Sequence, residues 1–141
     1  ISDIVVFPFP IKYLFSEYKF INFKELIFYT KNDIFKPTEE KYIVVFYSSK
    51  EKDTMDKLAE VDLNLPVLAI DYYNKVRENT KNTTFLRTGT KNSLSFIQRF
   101  NIYESPSIFF IIKSKEALYK QDSMIRQLDN LNELPNQINT L

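Results

Sequence analysis

Three strongly apolar runs constrain this chain more than any other feature, the first of them built wholly of β-branched and aromatic residues. Tyr42-Ile43-Val44-Val45-Phe46-Tyr47 contains six such residues without a polar break. A strand with one wet face alternates apolar and polar residues, so a run without alternation is expected where both faces are covered. Leu65-Pro66-Val67-Leu68-Ala69-Ile70 and Ser107-Ile108-Phe109-Phe110-Ile111-Ile112 read in the same way, Pro66 being tolerable at a strand start. Between the first two runs lie a polar loop, Ser48 to Asp53, and apolar residues at helical spacing, Met55, Leu58 and Ala59. A helix is expected from about Thr54, and a second from about Ser93 to Phe100 before the third run. Doubly covered strands alternating with helices imply an α/β domain: a central mixed sheet flanked by helices in three layers.

The flanking segments are less regular. Residues 1–24 read as an aromatic N-terminal extension, in which Pro8 and Pro10 bracket Phe9 and prevent a continuous helix or central strand. Residues 25–141 form the domain. Leu26-Ile27-Phe28-Tyr29 is a short β-type run, and Thr30 to Asp33 suits the cap of a short helix that Pro37 interrupts. Asp71 to Asn92 is polar, holds the only glycine, Gly89, and is expected to be a mobile or inserted region. After Ile112 a turn over Lys113 to Glu116 should lead to a weak strand, Ala117-Leu118-Tyr119. A last helix is expected from about Asp122, with Met124, Ile125, Leu128, Leu131 and Leu134 on its apolar face and Pro135 near its end. The expected order is β-α-β-α-β-α-β-β-α.

Composition removes many functions. The 141 residues include no cysteine and no histidine, so the commonest metal ligands, the usual base near neutral pH and the strongest side-chain nucleophile are absent. No cofactor or metal is expected. Lys and Arg number 19 against 18 Asp and Glu, a net charge of +1, and the signs are interspersed, which gives no electrostatic footprint for nucleic acid. Tyr72, Tyr73, Lys75, Arg77, Lys81 and Arg87 mix aromatic and basic character, but Asp71 and Glu78 dilute them and the stretch reads as a solvated loop. Asn82-Thr83-Thr84 matches a glycosylation acceptor pattern and is assigned no role. No apolar stretch is long enough to span a bilayer. The start, Ile1-Ser2-Asp3, reads as that of a mature or trimmed chain, compatible with a periplasmic or otherwise membrane-associated placement through an upstream segment.

The order of elements from about Glu25 to Leu134, with a proline directly before a late buried strand, resembles thioredoxin and its relatives. Leu26 to Thr30 with Ile34-Phe35 is similar to that family's first strand and short first helix. Ile43 to Ser48 is similar to the strand that precedes its active site, and Phe100-Asn101-Ile102 followed by Ser105-Pro106-Ser107 resembles the segment that ends in its cis-proline loop. The resemblance places the family's Cys-x-x-Cys on Glu51-Lys52-Asp53-Thr54, its buried Asp on Val45 and the neighbouring Lys on Ala69. A chain without thiols can form neither the mixed nor the intramolecular disulfide of that chemistry. The resemblance also implies that the Ser105-Pro106-Ser107 loop offers backbone groups to an extended peptide, a mode that needs no cysteine.

The functional expectation is therefore a redox-inactive, non-catalytic module that binds a protein or extended peptide, as a subunit of a larger envelope or membrane-associated complex. Phe7, Phe9, Tyr13 and Phe15 form a dense aromatic cluster that either fills a groove on its own domain or meets a partner. Glu51 and Asp53 read as local stabilisers of a helix start rather than as a catalytic pair. Two alternatives stand beside this reading. One is an enzyme using Glu51, Asp53, Thr54, Ser105 or Ser107 in non-thiol chemistry; the other is a protein that binds a peptide or small thiol without redox turnover.

Overall fold

The computed structural model describes residues 19–50, 53–61, 63–75, 77–100 and 106–128. Its centre is a seven-stranded mixed sheet. The elements are β1 (Phe20–Asn22), β2 (Lys41–Tyr47), α1 (Thr54–Glu60), β3 (Val67–Asp71), β4 (Thr83–Leu86), α2 (Thr90–Phe100), β5 (Ser107–Lys115), β6 (Leu118–Gln121) and β7 (Arg126–Gln127). Across the sheet the order is β1-β6-β5-β2-β3-β4, with β7 beside β5. β2, β3 and β4 are parallel to one another, whereas β5 runs antiparallel to β2, β6 and β7.

The three apolar runs occupy the centre because each has two faces to bury. In register, Ile43, Val45, Tyr47, Val67, Ala69, Ile108 and Phe110 share one face, which Leu58 of α1 covers; Phe85 and Leu128 complete that cluster. Tyr42, Val44, Phe46, Leu68, Ile70, Phe109 and Ile111 face the other way, against Phe23, Leu26, Phe28 and Tyr119, with Ile97 of α2 and Phe35 packed on the margin. The period of two thus splits each run between two cores, giving the three layers expected from the sequence.

Several local expectations differ from the structure. Leu26 to Tyr29 is not a strand: only Tyr29 pairs, through isolated bridges to Ile34 and Arg87, and no helix follows it over residues 30–37. Leu26 and Phe28 are buried there as core side chains of an irregular segment. Phe20–Asn22, within the stretch read as an extension, forms an edge strand against β6 and buries Ile21. The second apolar run pairs from Val67 to Asp71, with Pro66 just outside it.

The polar region Asp71 to Asn92 is also largely built into the fold, as it supplies the end of β3, all of β4 and the start of α2. Thr83-Thr84-Phe85-Leu86 lacks an apolar run, yet threonine is β-branched and suits a strand. The outward N–H groups of β4, and that of Arg87 just after it, find partners within the chain: Thr83 donates to Thr80 Oγ1 at 3.1 Å, Phe85 to Asn79 Oδ1 at 3.0 Å and Arg87 to the Tyr29 carbonyl at 2.9 Å. That edge is closed to further strands.

At the C-terminal side, β5 continues through Lys115, beyond the expected start of the turn, and the chain reverses at Glu116-Ala117. No helix starts at Asp122. Residues 122–125 loop out and Arg126–Gln127 pairs with β5. The spacing of Met124, Ile125 and Leu128 imitates a helix, but Ser123 Oγ accepts the Phe110 N–H at 2.9 Å and Leu128 donates to the Pro106 carbonyl at 2.9 Å. Leu131 and Leu134 lie outside the described residues. Among the described residues the order is β-β-α-β-β-α-β-β-β.

Candidate functional site

The carboxyl ends of β2 and β3 converge on one edge of the sheet, where ligands of parallel sheets usually bind. Tyr47 ends β2 and Asp71 ends β3, opposite one another in register. Asp71 is 0% exposed. Its Oδ1 accepts the Ser49 N–H and its Oδ2 the Lys75 N–H, both at 2.8 Å. One carboxylate thereby ties down the loop leaving β2 and the loop leaving β3. Such charge-assisted bonds are the stronger kind, and they satisfy a charge that would otherwise be costly to bury.

Beside Asp71 stands the Tyr47 phenol, buried and with no hydrogen-bond partner for its hydroxyl among the described residues. Burial pushes its ionisation well above the usual phenol range, the Asp71 charge adds to that, and Arg77 works against it. Arg77 reaches Asp56 on α1 at 2.5 Å and lies over the Phe85 ring, 5.7 Å from its centre. The ion pair is substantially exposed, so it orients the loop more than it stabilises the fold. Tyr73 is 54% exposed, with Lys50 Nζ 4.4 Å from its ring centre.

Ser49, Asp53, Thr54, Met55, Asp56, Lys75 and Arg77 line an open depression of about 300 Å³ at this edge. Its charges are mixed. Among the described residues no group of three His, Cys, Asp or Glu is placed to hold a metal ion.

Sequence-predicted positions fall here in part. Glu51 and Lys52 lie outside the described residues. Asp53 is exposed and adopts a left-handed backbone, φ 62°; its side chain makes no capping bond, contrary to the helix-start role expected of it, while its carbonyl accepts the Lys57 N–H at 2.9 Å. The acidic side chain in the first turn is Asp56. Thr54 is buried, with Val45 and Ala69 fully buried in the core on the α1 side.

Ser107 begins β5 at the same end of the sheet, since it pairs with Phe46, and Pro106 directly precedes it. Ser105 lies outside the described residues. Both Pro106 and Ser107 are buried, and neither lines the depression. Ser107 faces Gln127 of β7, and the Pro106 carbonyl accepts from Leu128. At Ser107 and Ile108 the backbone of β5 thus has β7 of the chain itself beside it. Phe7, Phe9, Tyr13 and Phe15 lie outside the described residues.

Sequence reasoning passed over Asp71 and Tyr47. Asp71 closes the run Val67-Leu68-Ala69-Ile70, and a charge at the end of a doubly buried strand is a usable signal. Nothing in the sequence marks the Tyr47 hydroxyl as one without a partner among the described residues. Asn82 of the glycosylation pattern has its Nδ2 buried, and Thr83 donates its hydroxyl to the Leu58 carbonyl at 2.9 Å, so the pattern is part of the fold.

In the order β3-β2-β5-β6, a parallel β-α-β unit adjoins an antiparallel hairpin, and the helix start and proline expected to meet do share one end of the sheet. The fold is thioredoxin-like. No protein-family model matches the chain, and no curated protein matches it in sequence. Among solved structures it is similar to the exposed lipoprotein thioredoxin of Streptococcus pneumoniae strain TIGR4, at 10% identity and a TM-score of 0.43, over 72% of this chain and 85% of that one.

Proposed function

We propose that this chain is a redox-inactive, non-catalytic binding or assembly module whose partner is a protein or extended peptide, within a larger envelope or membrane-associated complex. The observation that carries the reading is the use of Asp71. The buried carboxylate at the strand ends, the natural place for an acid or base, is occupied by two backbone N–H groups and acts as a structural tie. The depression is open and of mixed charge, with Lys75 and Arg77 among its lining cations, and Tyr73 is an exposed aromatic ring with Lys50 over it. Aromatic and arginine side chains are the usual anchors of protein interfaces.

Catalysis by Glu51, Asp53, Thr54, Ser105 or Ser107 draws less support. Asp53 is exposed on the open depression and Ser107 is fully buried between two strands. Two measurements test the proposal. Reduction of a model protein disulfide should proceed no faster with the chain than without it, and a clear rate above background would overturn the non-catalytic reading. A protein co-purified with the chain from its source cells should be lost on Tyr73→Ala with Arg77→Glu, or on Phe9→Asp with Phe15→Asp. Unchanged retention by both pairs would remove both surfaces.

A further inference from the structure

We draw no further inference here: the strongest candidate, the surface patch on the α1 side of the sheet where Phe20, Lys120, Ile112 and Lys41 stand in one row across β1, β6, β5 and β2 with Phe20 and Ile112 exposed, carries nothing because nothing in the structure shows what covers it.

Discussion

Replacing Asp71 by alanine removes the acceptor of two backbone N–H groups, those of Ser49 and Lys75, and leaves the space at the end of β3 without its charge. Each hydrogen bond to a charged group contributes about 1.5–3 kcal/mol. Asp71→Ala should therefore lower the unfolding free energy by roughly 3 kcal/mol in urea titration. Asp71→Asn keeps one carbonyl acceptor and should lose less, while both variants should speed amide exchange at Ser49 and Lys75. A stability equal to the parent's would show that the carboxylate does not hold the loops. The left-handed positions carry a related lesson. Asp53, Asn74 and Ala117 have positive φ, and the single glycine, Gly89, is at none of them. Asn and Asp tolerate that region better than other side chains do.

At the scale of elements, the bulge between β6 and β7 rests on Ser123. Its Oγ replaces the strand partner that the Phe110 N–H would otherwise lack, while Gln121 Nε2 donates to the Ser123 carbonyl at 2.7 Å. Ser123→Ala leaves a buried N–H unsatisfied, which costs about 1–3 kcal/mol. The expected result is a lower denaturant midpoint with the slope unchanged, together with loss of exchange protection at Phe110. Full protection of that amide would mean that another acceptor takes over. The same element shows why a helix reading fails there. Apolar spacing after Asp122 suits either a helix or an irregular strand, and the choice falls to an unpaired β5 edge that needs backbone partners. Thr83 to Leu86 illustrates the converse. A four-residue strand rich in threonine is identified by the neighbouring β3 edge, against which it pairs, rather than by its own hydrophobicity.

The whole molecule has a pH dependence set by two buried tyrosines. Tyr119 donates its hydroxyl to the Glu39 carbonyl, and Tyr42 accepts the Thr38 and Glu39 N–H groups at 3.0 and 3.1 Å, so the two phenols hold the turn before β2. Burial, then the neighbouring Tyr42, Glu40 and Glu39, push the Tyr119 pKa up to about 12. Tyr47 is pushed up as well, again chiefly by burial. A raised phenol pKa means that the folded state holds its proton after the unfolded chain has released it, above about pH 10. The contribution is complete below that pH and is lost as pH rises through 10 and on past the folded values. Unfolding free energy should therefore fall steeply on the alkaline side, and phenolate absorbance should gain a late, cooperative component at unfolding. Tyr119→Phe should flatten part of the slope; an unchanged slope in both Tyr119→Phe and Tyr47→Phe would remove these phenols as its cause.

The sequence by itself determined which segments form the centre of this protein and what chemistry is closed to it. Six consecutive β-type residues at Tyr42 to Tyr47 admit little besides a doubly covered strand, and Thr54 with Leu58 begins and anchors its helix because the local period leaves no equal alternative. The absence of thiols follows from composition and needs no coordinates. Only the tertiary structure decided that β1 and β4 take the two edges, that residues 122–125 bulge, that β7 occupies the edge at Pro106, and that Asp71 is a tie between loops. Those outcomes depend on which backbone and side-chain groups remain unsatisfied once the central strands are in place. Such a balance is struck between segments distant in sequence and leaves no periodic trace within any one of them.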